Sequence, residues 1–255
     1  MFSNPVNFQI QMLIKMDNFF WKSYEDAHQF QLHDSYFIKA SSLKIIRLVQ
    51  LFIHSLIPLY YIFSLRILNS IKYLTVIGMY LNFIYFILIT YATIFPLKNP
   101  SSHRFFKRLT IVIYEVTFSM QFTITFFFWF CLYPVYDTTK IFPDWLAFFV
   151  VGVYMHSFCW LGLWIDKFFN TIHFDKKHFL FLVVVMSSYA GFTYIYKMVY
   201  ETNIYPVIKW DVDSAGYMIL AVVFTVAHFY FGLWVSNYKS KNYTVHGKEE
   251  GKKKE

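Results

Sequence analysis

Six apolar runs, each near the length a helix needs to cross a bilayer, constrain this chain more than any other feature. They cover residues 45–63, 73–95, 109–133, 145–165, 179–200 and 215–238. A helix rises ~1.5 Å per residue and the hydrocarbon core is ~30 Å thick, so ~20 apolar residues span it. Backbone N–H and C=O groups find no water there, and runs of this length satisfy them only as helices. The chain is 57% hydrophobic and 15% charged, against roughly 25% charged in soluble domains. The fold class that follows is an all-α polytopic membrane protein, with six transmembrane helices in one bundle over 42–238. An interfacial or loosely ordered arm (1–41), with Phe19, Phe20 and Trp21 placed to lie on the membrane surface, precedes it. A lysine-rich tail (239–255) follows. Pro96, Pro100, Pro134 and Pro143 punctuate the connections, as residues that break helices should.

Basic residues set the orientation. Of the 23 Lys and Arg, 17 lie on the tail side of the runs and four on the opposite side, with Arg47 and Lys197 inside runs. That bias puts both termini in the cytosol. The net charge of +8 is therefore a topology signal, and no nucleic-acid partner is expected. The final KKKE places lysines third and fourth from the end, a pattern similar to a dilysine retrieval signal, which is a receptor-read address. It points to the endoplasmic reticulum membrane; a solvated basic tail is the alternative. The sequon Asn242-Tyr243-Thr244 sits on the same tail and is expected to stay unmodified. No cleavable signal peptide is expected, since no apolar core precedes Lys15. Cys131 and Cys159 form no framework.

The fourth run contains VVGVYMHSFCWLGLWI (150–165), with His156 near its middle. An ionisable group at that depth is costly without a polar partner, and is a functional-site candidate for that reason. Around it, metalloprotease, P-loop, dinucleotide and serine-elbow motifs are absent, and no metal-ligand spacing stands out, so neither cofactor nor metal is expected. Polar and small residues fall on single helical faces: Thr75, Gly78 and Asn82; Gly152, His156 and Cys159; Thr225, His228 and Gly232. Such stripes ordinarily mark helix contact; facing a shared interior, they can also line a pocket for a lipid tail. Glu115 and Asp166 are expected to pair or to snorkel towards water.

Four stretches, in consistent order from about Ile67 to Tyr238, together resemble the androgen-induced protein / androgen-dependent TFPI-regulating protein family. They are IKYLTVIGMYLNFIYF (71–86), FFWFCLYPVYDTTKIFPDWL (127–146), VYMHSF (153–158) and Tyr205-Pro206. The chain departs from the family at Val153, where a second histidine is usual, and in lacking the acid after Tyr136-Asp137. The resemblance implies a threonine hydrolase acting on fatty acid esters of hydroxy fatty acids, with Thr75 as nucleophile and His156 as its base. An apolar ester of that kind can enter sideways from the membrane lipids. The residue chemistry is compatible, because a threonine hydroxyl attacks only when a base takes its proton, and imidazole can do so near neutrality. An oxyanion donor is also required; Asn82 is the nearest polar residue on the Thr75 stripe, but two turns away.

One geometric expectation runs against this reading. Counted from the lumenal edge at ~1.5 Å per residue, His156 lies on the order of 10 Å deeper than Thr75. Either the second helix begins earlier, near Ile67 with Lys72 tucked inside, or the helices tilt strongly. A non-catalytic membrane scaffold or regulatory protein is the competing reading. A carrier or channel fits less well, since the runs hold few charges and no pair of Gly/Pro-broken helices.

Overall fold

The computed structural model describes residues 5–22, 32–64, 70–95, 104–135, 144–243 and 245. Pro96, Pro100, Pro143, Thr244 of the sequon and the lysines of the KKKE terminus lie outside them. The described chain is helical, and six helices are long and apolar enough to cross a membrane. The protein is a multi-pass membrane protein. Its spans are Ala40–Phe63, Leu74–Ile94, Arg104–Val135, Trp145–Phe169, Lys176–Tyr200 and Ala215–Asn242. Most begin or end one or two turns beyond the apolar runs, because an apolar run stops at the first charge and a helix does not. The turns at Arg104, Lys107 and Arg108 remain helical, and Arg108 pairs with Asp17 of the arm.

The third span is the central post. Some 72% of its most apolar stretch is buried, against 11% for the fifth span, and it packs on the second, fourth, fifth and sixth. The outer spans turn Phe52, Val184, Ile195 and Val223 outward, all more than half exposed. An apolar surface of that extent is what acyl chains cover.

The tail-side end of the bundle is sealed by polar groups that find partners in one another. Arg47 of the first span and Asp166 of the fourth, both fully buried, form an ion pair of 2.8 Å. Arg47 Nη1 also donates to the Leu32 carbonyl (2.5 Å) and to Thr93 Oγ1 (2.7 Å). The second Asp166 oxygen accepts from Tyr85 Oη and from Asn170 Nδ2. Glu115 meets His178 Nδ1 at 2.8 Å. Lys167 Nζ donates to the Ile172 carbonyl and to Ser236 Oγ, and Lys239 Nζ to the carbonyls of Lys167 and Asn170. A buried charge is tolerable only when ligated in this way. Both acids singled out in the sequence therefore pair. The arm docks here too: its helix Pro5–Asp17 runs into a π-helical turn at Asn18–Lys22. Phe20 and Trp21 are buried, against Phe181 and His178, while their neighbour Phe19 is exposed.

Close approach of the first, second and fourth spans depends on Gly162. A Cβ there would lie 2.1 Å from His54 Nε2. The His54 ring cannot easily give way, because it stacks on Phe86 (4.6 Å between centroids, 2° between planes) and meets Asn82 Nδ2 at 3.3 Å. Gly162→Ala should therefore destabilise the protein by about 1–3 kcal/mol. Gly191→Ala, where nothing lies within 4 Å, should be neutral or stabilising by up to about 1 kcal/mol. Thermal unfolding of the two variants in the same detergent checks the contrast.

Candidate active site

The end of the bundle opposite the seal holds the site. The chain turns at Ser70–Tyr73, where Tyr73 N–H donates to the Ser70 carbonyl, and the second span begins at Leu74 with Tyr73 as its extended N-cap. Thr75 is thus in the first helical turn, where backbone N–H groups lack partners inside the helix. Leu74 N–H is taken up instead by two phenols, Tyr189 of the fifth span and Tyr205 of the following loop, each at 2.9 Å. Tyr189 Oη donates in turn to the Lys72 carbonyl (2.9 Å). Lys72 stays outside the helix, its ammonium 3.3 Å from Tyr196 Oη. The start of the second span is therefore pinned by tyrosines from two other parts of the chain.

His156 arrives from the fourth span within an eleven-residue π-helical stretch, Phe148–Phe158. π-Helical geometry is rare, costs regular hydrogen bonding and concentrates at functional sites. A second π-helical turn, Phe128–Leu132, lies in the third span. Phe128 from that turn stacks on the imidazole, with centroids 3.6 Å apart and planes at 15°. Trp129 Nε1 donates to Ser157 Oγ (2.9 Å), which ties the two π segments together.

Thr75 Oγ1 lies 3.3 Å from His156 Nε2. The other ring nitrogen, Nδ1, lies 2.6 Å from the Val151 carbonyl. A carbonyl can only accept, so Nδ1 carries the proton and Nε2 presents a lone pair to the threonine hydroxyl. The axial gap of about 10 Å expected from residue counting is not found, and an early start of the second helix is not the reason, since that helix starts at Leu74 and not near Ile67. Counting assumed an α-helical rise; i→i+5 bonding packs more residues into each turn and shortens the descent of the fourth span, which removes only a part of the counted gap.

Two cavities meet at this pair. One, about 230 Å³, runs between the third, fifth and sixth spans past Ile124, Met186, Ala190 and Met218. The other, about 350 Å³, runs between the first, second and fourth past Tyr61, Val76, Val151 and Met155. Thr75, His156, Leu132 and Tyr205 line both. Ser187 and Val222 line the first cavity and are exposed on the outside of the bundle, so it reaches the lipid-facing surface between the fifth and sixth spans. Burial pushes the Tyr205 phenol above its ordinary pKa, which keeps it a protonated donor.

Compared with protein-family models, curated proteins and solved structures, the chain matches none.

The geometry itself assigns the polar stripes different tasks. Asn82 meets His54 Nδ1 at 3.3 Å, deeper in the bundle. Thr225 meets Thr123 at 2.7 Å, and Gly232 admits the Phe174 ring. His228 lies sandwiched between the rings of Phe118 and Phe122. Those contacts are helix packing. Thr75 and His156, by contrast, face each other across a cavity junction. Among the described residues, no group of three or more His, Cys, Asp or Glu is placed to hold a metal. Sequence reasoning missed the Val151 carbonyl, both π segments and Tyr189. It noticed Tyr205 only within the Tyr205-Pro206 pair; a tyrosine beside a proline in a loop gives no hint of where its hydroxyl lands.

Proposed function

We propose that the protein is an intramembrane hydrolase of lipid esters, with Thr75 as nucleophile and His156 as general base. The observation that carries this is the 3.3 Å approach of Thr75 Oγ1 to an imidazole nitrogen whose tautomer the Val151 carbonyl fixes. A hydroxyl, a base within reach and a group orienting the base form the arrangement by which a weak nucleophile is activated. In the first step Thr75 Oγ1 attacks the ester carbonyl carbon while its proton passes to His156 Nε2. The carbon–oxygen bond to the alcohol then breaks, and that oxygen takes the proton. Water deprotonated by His156 attacks the acyl-threonine, releases the fatty acid and restores both residues.

The apolar walls, and the opening of the first cavity between the fifth and sixth spans, support a substrate drawn laterally from the bilayer. The family resemblance adds the finer reading, fatty acid esters of hydroxy fatty acids. An endoplasmic-reticulum location with cytosolic termini rests on the lysine pattern of the sequence.

An alkyl fluorophosphonate tests the assignment. Thr75 Oγ1 should displace fluoride and hold the phosphonyl group, and both Thr75→Ala and His156→Ala should abolish labelling at unchanged protein level. Labelling that persists in Thr75→Ala, or its absence from the native protein, refutes it.

A further inference from the structure

We propose that Tyr205 donates the hydrogen bond that stabilises the carbonyl oxygen of the substrate as Thr75 attacks it, from a phenol placed where the two cavities join. The proposal rests on the ester-hydrolase reading above and names a component that reading leaves open. Attack turns the carbonyl oxygen into an oxyanion, and inside an apolar bundle no water is at hand to solvate it. A fixed donor at that point is therefore among the largest single contributions to such a reaction.

Four residues belong to the walls of both cavities, and an ester straddling the junction must present its carbonyl among them. Thr75 and His156 are the attacking pair, and Leu132 has no polar side-chain atom. Tyr205 remains. Its oxygen accepts Leu74 N–H at 2.9 Å, which anchors it one residue from the nucleophile, and the hydroxyl and backbone of Thr75 neighbour the same phenol. Among the hydrogen bonds of the described residues, none commits the Tyr205 proton to a backbone carbonyl. The neighbouring Tyr189 differs in this respect, since its proton goes to Lys72. Asn82, the nearest amide on the Thr75 face of the second span, is held by His54. The step involves no transfer from Tyr205: the carbonyl π pair moves onto oxygen, the phenol O–H hydrogen-bonds to it, and the pair returns when the alcohol leaves.

The test compares p-nitrophenyl decanoate with its thiono analogue, in which sulfur replaces the carbonyl oxygen and accepts hydrogen bonds poorly. Tyr205→Phe should lower kcat for the oxygen ester by about 10²- to 10³-fold with little change in KM. It should also reduce the ratio of ester to thionoester rates by about tenfold or more, because the thionoester gains little from the donor. Equal losses on both substrates would make Tyr205 a structural support and overturn the proposal, as would an unchanged kcat. If Tyr205→Phe does not fold, difluorotyrosine in place of Tyr205 keeps ring and hydroxyl while making the phenol more acidic; the ratio should shift from the native value, and an unshifted ratio overturns the proposal. Thr75→Ala run alongside separates the two readings. Undiminished hydrolysis in that variant removes the hydrolase reading and this inference together, whereas its loss with Tyr205→Phe unaffected removes this inference alone.

Discussion

If the proposed hydrolase reading holds, Thr75→Ala should lower the rate of ester hydrolysis by about three to six orders of magnitude, and adding His156→Ala should lower it no further. The first half follows from removing the atom that attacks. The second follows from the proposed roles: a hydroxyl and an imidazole nitrogen 3.3 Å away would act as one unit, so either loss alone would already forfeit what the pair supplies. At ~1.36 kcal/mol per decade, the single substitution removes about 4–8 kcal/mol of transition-state stabilisation. Independent contributions would instead multiply, and the double variant would be slower than the native protein by the product of the two single factors. Thr75→Ser separates chemistry from packing, because it keeps the hydroxyl beside Nε2 and deletes only a methyl group; it should retain activity within about tenfold of the native rate. Hydrolysis of p-nitrophenyl decanoate by purified protein in micelles supplies the rates of the native protein, both single alanine variants, the double variant and Thr75→Ser. A double variant markedly slower than Thr75→Ala would mean that the two side chains do not share a step.

The six spans were legible because hydropathy over some twenty residues is a property of each segment by itself. The bundle's pairings were not, because they join residues far apart along the chain. Arg47 reads as a flaw in the first run until Asp166, 119 positions later, appears beside it. Glu115 likewise has no evident task until His178 closes on it. The same limit applies to the depth expected at the candidate site. Counting residues is a fair ruler on an α-helix, but nothing in FFVVGVYMHSF announces that this stretch is wound as a π-helix. Thr75 and His156 could be singled out by type and by resemblance, and the distance between them could not. Of the three small-residue stripes, alike in sequence, the one in the sixth span serves close packing. The stripes of Thr75 and His156 also contribute walls to cavities. Which fate befalls a stripe depends on the facing helix: bulky rings such as Phe174 fill the space beside Gly232, while the tyrosines that pin Leu74 leave space beside Thr75.

Arg47→Leu should cost about 3–5 kcal/mol of stability although Arg47 lies at the end of the bundle away from the candidate site. The guanidinium spends three hydrogen bonds on Asp166, Leu32 and Thr93, and both charged side chains are fully out of solvent. Leucine fills much of the volume, so a cavity is a minor part of the loss. The larger part is the carboxylate left behind: Asp166 keeps Tyr85 and Asn170 as donors but loses its counter-charge in a medium that solvates ions poorly. For a chain of this size such a loss corresponds to a fall in Tm of roughly 6–20 °C. Arg47→Lys should recover only part of it, because a single ammonium cannot reach carboxylate, carbonyl and hydroxyl together as the planar fork does. The combination of Arg47→Leu with Asp166→Leu should recover most of it, since replacing both members of a buried pair with apolar groups is often nearly neutral. Thermal unfolding of the three variants in one detergent decides the matter. If the double variant is no more stable than Arg47→Leu alone, the stranded charge is not the cause, and the loss must come from the Leu32 and Thr93 hydrogen bonds, which hold the arm and the second span to the first.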